Sequence, residues 1–579
     1  MGVESRSIRV PVGEGSVLWA SRAAQRNVLL VVHNVTSAGR LMDVVPLFHD
    51  DFRVQLLVTS TGSSAFQDGI EDLFSDIGLP VVPWDQALTL PVDLSISASF
   101  GGQLSSISGK LSIISHGVGY TKRLAGRRAP GAGRRAPGAG SREPTFGLSA
   151  EWLLEDGEPF VDGLVLSHPE QVERLRRACP EAEGAAILGG DPCFDRMLVA
   201  LPYRERFRRA LGVRRGQRLL VLNSTWNPEG LFGNSGQDLL PGLLPRLTAE
   251  LPADDYRVAA VLHPNIWYGH GPGQIRAWLD RARRNGLTLV DPVHNWRQAL
   301  LAADLVLGDF GAVTYYAAAL GTPVMLAADG QDRLDPESPV AAFVAQAPRL
   351  DPYRPLRAQF EDLAASHSPL PGPQQFVTSA PGESAALLRE HFYTLLGLPE
   401  PEGPALLEPL PLPPYEPPMR TAPVQVRTII DGAEIRIERS AEVPHGAGGD
   451  VHLAVHENTR DYRALELADV ITQGADGGDP RFGGPELWTA EVLRRHPRCA
   501  AAAYVTGLDG CVVRTRTDGV FQVEANPDAD ADPAAYASAL YAWLTSGGTV
   551  PAYGTVPLRV RTATGAHLML VGRLEVRES

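Results

Sequence analysis

Residues 303–326, ADLVLGDFGAVTYYAAALGTPVML, restrict the fold of this chain more than any other stretch. The apolar run of residues 305–307 stands between turn residues, which is typical of a buried strand in a parallel sheet. A run rich in alanine and aromatic residues follows and predicts a helix, which Gly321 and Pro323 end before the next apolar run. The pattern therefore predicts a βαβ unit. Small residues at the start of its helix would let a phosphate reach backbone N–H groups, although a βαβ unit without a ligand fits the pattern equally well.

The alternation of strands and helices extends along most of the chain. Apolar runs that predict strands recur in two series, at residues 27–33, 52–59 and 111–115 and again at residues 219–222, 258–262 and 287–290. We therefore predict an α/β protein with two Rossmann-like domains, residues 1–200 and 201–397, built on parallel sheets that face each other across a cleft. Ligands of such sheets bind beyond the carboxyl ends of the strands, where His33, Asn34 and His116 lie.

The remaining segments differ in character. Residues 398–423 are rich in proline and predict an extended, semi-rigid linker. Short alternating strands and two helical stretches follow, so residues 424–579 are predicted to form a separate α+β module whose chemistry and protein partner stay open. Within the first domain, residues 126–140 contain GRRAPGA twice and predict a mobile basic surface loop. That loop is either a duplication without function or a clamp over an anionic substrate or membrane surface.

Composition excludes several classes of protein. The net charge of −14 argues against general nucleic-acid binding. No apolar run has the length of a membrane span, and the first residues lack the apolar core of a signal peptide. We expect a cytoplasmic protein, with peripheral contact at the inner face of the membrane left open. The four cysteines lack zinc-type spacing, so we predict reduced thiols and no metal site; they are Cys179, Cys193, Cys499 and Cys511.

Five short polar motifs stand at the ends of predicted strands. In chain order they are His116-Gly117 followed by Lys122, residues 190–195, Ser224-Thr225-Trp226, His263-Pro264 and residues 308–313. Their order and types resemble the motifs of the CDP-glycerol glycerophosphotransferase family over about residues 27–395. One departure concerns the last motif, in which Gly311-Ala312 stands where the family has two serines.

The resemblance implies a GT-B fold and a transferase for teichoic-acid-like cell-wall polymers. Such an enzyme would move glycerol phosphate, or a related polyol phosphate, from a CDP-linked donor to a hydroxyl of a polyol or glycan acceptor, with a lipid-linked acceptor left open. No cofactor is implied beyond the donor, and a divalent cation stays open. Two alternatives remain: a GT-B sugar-nucleotide glycosyltransferase or epimerase, and a catalytically inactive GT-B scaffold, which the missing serine pair favours.

The transfer expels CMP and requires deprotonation of the acceptor hydroxyl, for which an imidazole is the usual base near pH 7. We predict His116 as that base and His263 as a partner of the phosphate from the second domain. Each histidine also has an alternative without a catalytic role. His116 could be hydrogen-bonded to nearby backbone, and His263 could simply end a strand. The predicted substrate-binding residues are Lys122, Asn34, Ser224, Thr225, Trp226, Asp309, Gly311, Ala312 and Thr314. Asp309 fits a helix cap as well as a ribose or metal contact, and Trp226 fits a cleft wall or core position. Lys122 with the nearby arginines fits a site for a phosphorylated acceptor and a solvated basic face equally well.

Overall fold

The computed structural model of this chain describes residues 7–115, 117–123, 144–235, 238–415, 417, 420–443, 448–474, 483–526, 530–562 and 565–575. Within that part of the chain, no helix is both long enough and apolar enough to cross a bilayer.

The first lobe is built on a six-stranded parallel sheet of order β2-β1-β3-β4-β7-β8. Alternate residues of its first strand face opposite ways, so Leu30 packs into one core cluster and Leu29 into another on the other face. The strands are β1 (Arg26–Val32), β2 (Val54–Ser60), β3 (Leu94–Ser97), β4 (Lys110–Ile113), β5 (Leu154–Glu155), β6 (Glu158–Pro159), β7 (Gly163–Leu166) and β8 (Ala186–Leu188). The helices are α1 (Val35–Val44), α2 (Ile70–Ile77), α3 (Trp84–Ala87), α4 (Ala150–Leu153), α5 (Pro169–Ala178) and α6 (Pro192–Ala200).

The second lobe repeats this plan around a five-stranded parallel sheet of order β11-β10-β9-β12-β13. Its strands are β9 (Arg218–Ser224), β10 (Tyr256–Leu262), β11 (Thr288–Leu289), β12 (Leu305–Gly308) and β13 (Val324–Leu326). Its helices are α7 (Arg204–Ala210), α8 (Leu240–Glu250), α9 (Pro264–His270), α10 (Pro272–Trp278), α11 (Asp280–Arg284), α12 (Trp296–Ala302), α13 (Ala312–Ala319), α14 (Pro339–Gln346), α15 (Leu356–Ser366), α16 (Pro371–Phe376) and α17 (Ser384–Leu396). The predicted α/β architecture with parallel sheets is confirmed.

The chain ties the two lobes together by two exchanged helices. Phe194 of α6 is buried in the core of the second lobe. In the opposite direction, α17 returns to the first lobe, where Phe392 joins the core and His391 Nε2 lies 3.0 Å from Ser112 Oγ. The proline-rich linker has no helix or strand in its described part, yet Leu410 is buried against the second lobe. The linker therefore packs on the lobes.

The C-terminal module is a closed nine-stranded barrel, of order β14-β15-β21-β22-β20-β19-β18-β17-β16. The strands are β14 (Val424–Asp431), β15 (Glu434–Ser440), β16 (Asp450–His456), β17 (Val470–Gln473), β18 (Ala501–Val505), β19 (Gly510–Thr515), β20 (Gly519–Ala525), β21 (Thr555–Thr562) and β22 (Gly565–Arg573). The helices are α18 (Tyr462–Leu467), α19 (Pro485–Arg495) and α20 (Pro533–Thr545). The two helical stretches are where the sequence indicated, but the α+β prediction missed the closure, because the pairing of β15 with β21 joins strands far apart in the chain.

A buried ion pair fixes the barrel on the second lobe. Arg439 of β15 is 5% exposed and donates to Asp254, with Nε 2.9 Å from Oδ2 and Nη2 2.6 Å from Oδ1. The same Nη2 donates to Asp532, which caps α20, over 2.8 Å. Close by, the Ala253 amide donates to the Arg439 carbonyl over 2.7 Å. The barrel is thus attached through directed, desolvated contacts.

Candidate active site

A cavity of about 340 Å³ opens between the two lobes, beyond the carboxyl ends of their strands. Loops that follow β1, β4, β9, β10 and β12 all reach it, as expected for parallel sheets that face each other. Its volume is in the range of small-molecule sites. The residues that line it include Asn34, Thr36, Gly39, Arg40, Ser115, Gly117, Lys122, Ser224, Thr225, Trp226, His263, Trp296, Arg297, Gly311 and Ala312.

Asp309 holds the second-lobe wall of the cavity from behind. It is 0% exposed, and its Oδ2 accepts hydrogen bonds from the amides of Thr225 at 2.9 Å and Leu231 at 3.0 Å. Its Oδ1 accepts one from the Gly311 amide at 2.9 Å. Burial raises the pKa of Asp309, and the three amide hydrogen bonds oppose that shift. Asp309 thus ties the loop after β9 to the start of α13. Its oxygens accept from these groups, so the structure shows a supporting role where direct contact with substrate was predicted.

The start of α13 is shaped by close packing around Gly311. Gly311 is the N-cap residue, and a Cβ added there would lie 3.0 Å from Asp309 Oδ1 and 3.1 Å from the Cβ of Thr225. The position therefore has little room for a side chain. The neighbouring Ala312 lines the cavity, and a Cβ added at Gly117 of the first lobe would lie 3.5 Å from its methyl group. The two lobes approach each other closely at this point.

Lys122 extends from the first lobe across the cleft to the second. Its half-buried ammonium donates to Thr225 Oγ1 and to Asn227 Oδ1, both over 3.1 Å. It also lies 5.7 Å from the ring centre of Phe310 and 5.9 Å from that of Trp226. Desolvation lowers the pKa of Lys122 to about 8, while the nearby Asp309 carboxylate opposes the shift. This cation is placed beside the start of α13, as a site for a diphosphate requires.

His263 follows β10 and caps α9. Its Nδ1 accepts a hydrogen bond from the Asn265 amide over 3.1 Å, so the neutral imidazole carries its proton on Nε2. His263 lines the cavity, as predicted. His116 lies outside the described residues, and so does the predicted basic loop of residues 126–140. Its chain neighbours Ser115 and Gly117 both line the same cavity.

The other predicted residues divide into lining and supporting positions. Asn34 lines the cavity, and its side chain also accepts a hydrogen bond from the Ser37 amide in a capping box at the start of α1. Trp226 forms a half-buried wall, with its ring 5.5 Å from that of Phe66 in an edge-to-face contact. Ser224 lines the cavity, but its hydroxyl donates to the Thr225 carbonyl and to Asp309.

Thr314 is 0% exposed and donates to Asn223 Oδ1 over 2.9 Å. The structure places its side chain behind the loop, where it supports α13, and Thr314 is not among the residues that line the cavity. Sequence reasoning missed a set of lining residues on helix faces, namely Thr36, Arg40, Trp296 and Arg297. They match none of the five motifs. Thr36 and Arg40 lie on α1, which begins soon after β1, and Trp296 and Arg297 lie on α12.

Within the described part of the chain, no cluster of three or more His, Cys, Asp or Glu side chains is arranged to hold a metal ion. All four cysteines are buried free thiols.

No protein-family model matches this chain, and neither does any curated protein. Among solved structures, it is similar to the wall teichoic acid polymerase TagF soaked with CDPG, with a TM-score of 0.45 and 13% identity over 65% of this chain and 89% of that chain. It is also similar to the UDP-GlcNAc 2-epimerase of Methanocaldococcus jannaschii, with a TM-score of 0.42 and 12% identity over 63% of this chain and 99% of the other.

Proposed function

We propose that the protein transfers glycerol phosphate, or a related polyol phosphate, from a CDP-linked donor to a hydroxyl acceptor. The observation that carries this proposal is one cavity between the lobes, which brings together Lys122, His263 and the start of α13. The first-lobe loop that flanks His116 opens into the same cavity. A cation, an imidazole and helix N–H groups around one space are suited to phosphoryl transfer, in which positioning and charge stabilisation dominate.

The donor diphosphate would bind between Lys122 and the start of α13. The ammonium is within 3.1 Å of Thr225 Oγ1, so a phosphate oxygen placed there meets a cation and a hydroxyl. The Gly311 amide is occupied by Asp309, and the free N–H groups of the helix start come next, from Ala312 onward. Backbone donors would thus replace the two hydroxyls that the family motif supplies.

The reaction step needs one base and one stabilised leaving group. In this proposal, the acceptor hydroxyl gives its proton to the His116 imidazole, and its oxygen attacks the phosphorus of the glycerol phosphate. The bond from that phosphorus to the bridging oxygen breaks, and CMP leaves with the electron pair and is stabilised by the Lys122 ammonium. The Nε2–H of His263 donates to a phosphate oxygen as negative charge builds.

The test is release of CMP from CDP-glycerol by the purified chain in the presence of a glycerol-based acceptor. We expect His116→Ala and His263→Ala each to lower the rate by about 100-fold or more. His270→Ala is the matched control, because His270 is exposed near the end of the same helix that His263 caps. Its rate should stay near that of the parent protein.

Two outcomes would overturn the assignment, and a third would remove one residue from it. Turnover of UDP-sugars without turnover of CDP-glycerol would identify a sugar-nucleotide enzyme. Binding of CDP without turnover of any donor, unchanged in His116→Ala, would identify a scaffold. Equal activity of His270→Ala and His263→Ala would remove His263 from the mechanism.

A further inference from the structure

Helix α1 presents a polar face to the cavity that the proposed donor site does not use. Thr36, Gly39 and Arg40 all line the cavity, and their spacing places them on one side of the helix. A Cβ added at Gly39 would meet no atom within 4 Å, so open space lies beside this face.

Arg40 is nine-tenths buried, yet most of its donors are unused. It is 9% exposed, and its only hydrogen bond among the described residues runs from Nη2 to the Tyr316 hydroxyl over 3.3 Å. Its Nη1 lies 3.8 Å from Asp43 Oδ2, which is too far for a hydrogen bond. Because a guanidinium carries five N–H donors, several remain for a ligand. The guanidinium carbon stands 5.4 Å from the ring centre of Tyr316 and 5.8 Å from that of Trp296, which fixes its position.

The two carboxylates near Arg40 also contact other groups. Asp43 is the carboxylate nearest to it, but Asp43 is shared with Arg297, whose Nη2 lies 2.7 Å from Oδ2, and with Arg196. Asp191 accepts a hydrogen bond from the Tyr316 hydroxyl over 2.6 Å, and burial raises the pKa of Asp191. Arg40, Arg196 and Arg297 therefore share the Asp43 carboxylate. The other nearby carboxylate is Asp191, and burial disfavours its ionised form.

A second unused donor lies one turn earlier on α1. The hydroxyl of Thr36 is buried and makes no hydrogen bond to any described residue, although Thr36 lines the cavity. Leaving a buried polar group unsatisfied is unfavourable unless a ligand or water completes it. A hydroxyl, a guanidinium and open space on one helix face together form an oxyanion site.

We propose that Thr36 and Arg40 bind a second anionic group, a phosphate ester carried by the acceptor, while the donor diphosphate occupies the Lys122 side of the same cavity. This inference rests on the proposed function for the position of the donor. The acceptor is the fitting source because α1 belongs to the first lobe, whereas the donor diphosphate of the proposed function binds at the start of α13 in the second lobe.

The test is calorimetric titration of glycerol 3-phosphate into the full chain saturated with CDP. We expect the parent protein to bind glycerol 3-phosphate. Arg40→Gln should bind it about tenfold more weakly or worse, because the charge-assisted hydrogen bonds from the guanidinium to the phosphate are lost. Arg40→Lys keeps the charge without the planar fork and should fall in between. Thr36→Val should weaken binding about threefold.

Arg196→Gln is the matched control, because Arg196 pairs with the same Asp43 but otherwise donates to the Glu408 and Pro409 carbonyls. It should keep the affinity for glycerol 3-phosphate. Equal weakening in Arg196→Gln and Arg40→Gln would show a structural role and overturn the inference, as would competition between CDP and glycerol 3-phosphate for one site. If Arg40→Gln does not fold, Arg40→Lys and Thr36→Val decide the question.

The two proposals fail in different ways. Absence of CDP binding would contradict the proposed function alone. In that case glycerol 3-phosphate is titrated without CDP, and binding that is lost in Thr36→Val and kept in Lys122→Met still supports the α1 site. Absence of glycerol 3-phosphate binding to a chain that binds CDP would overturn the inference and leave the donor site intact.

Discussion

Two aspartates next to the cavity are equally buried but satisfied in opposite ways. Asp309 is 0% exposed and accepts hydrogen bonds from neutral groups, namely three backbone amides and the Ser224 hydroxyl. Asp43 is 1% exposed and is surrounded by guanidiniums, from Arg297, Arg196 and more distantly Arg40. The hydrogen bonds to Asp309 fix the shape of the loop that forms the cavity wall. The ion pairs of Asp43 hold several guanidiniums close to the cavity. A buried aspartate therefore has a geometric role in the first case and an electrostatic role in the second.

The largest effect should come from removing the ionic partner. Asp43→Asn would leave the buried guanidiniums of Arg196 and Arg297 without a counter-charge, which we expect to lower the free energy of unfolding by about 3–5 kcal/mol. Urea unfolding followed by tryptophan fluorescence measures it. Asp362→Asn, which breaks an exposed pair with Arg354, is the control and should change little. A small change in the free energy of unfolding for Asp43→Asn would mean that the buried arginines do not need this carboxylate as a counter-charge.

Removing the charge of Asp309, which accepts only from neutral groups, should lower the free energy of unfolding less. Asp309→Asn turns one acceptor oxygen into a donor that faces backbone amides, so we expect a loss of about 1–3 kcal/mol in the free energy of unfolding together with weaker CDP binding. Asp291→Asn is the comparison, because Asp291 is exposed and also accepts from two backbone amides. If Asp309→Asn kept the affinity for CDP, the loop it holds would not belong to the donor site.

The protonation of Lys122 should make both CDP affinity and stability depend on pH. With its pKa lowered to about 8, the ammonium loses its proton as the pH rises from 7 to 9, so CDP affinity should fall by about tenfold over that range. Lys122→Met should bind CDP weakly at pH 7 and lose this dependence. Because the pKa is lower in the folded than in the unfolded chain, the stability of the parent relative to Lys122→Met should rise between pH 8 and 10.5. Calorimetry and urea unfolding at matched ionic strength measure both, and a flat CDP profile in the parent would contradict this role.

The smallest effects concern the start of α13. Gly311→Ser places a Cβ 3.0 Å from Asp309 Oδ1, so we expect a loss of about 1 kcal/mol in stability and no gain in CMP release. Ala312→Ser adds one hydroxyl at a position that already carries a side chain facing the cavity, and it should leave stability nearly unchanged. Thermal unfolding of both variants decides the matter. Equal stability would show that Gly311 has more room than its neighbours suggest.

The local pattern predicted regular structure well wherever apolar runs are bounded by glycine or proline. Residues 305–307 were predicted as a strand and form β12, and the helix expected before Gly321 is α13. The parallel sheets followed from the alternation of strands and helices. The barrel did not, because its closure depends on pairs such as Glu434 opposite Arg559 that no local pattern encodes.

Residues that directly follow strands lie where the sequence pattern indicated. Thr225 and His263 line the cavity because the carboxyl ends of parallel strands meet at one edge, whereas their roles toward a substrate stay predictions. The roles of Asp309 and Thr314 needed the structure, since a residue in a turn can face either the ligand or the core. His116 stays a prediction.

By itself, the sequence determined that two parallel-sheet lobes form and that polar residues gather at their strand ends, because hydrophobic periodicity and turn residues act over short distances. Only the tertiary structure decided which charges share a pocket. Arg40, Asp43, Asp191, Arg196 and Arg297 come from three helices and a loop, and whether their charges cancel or leave an anion site depends on distances of a few ångströms.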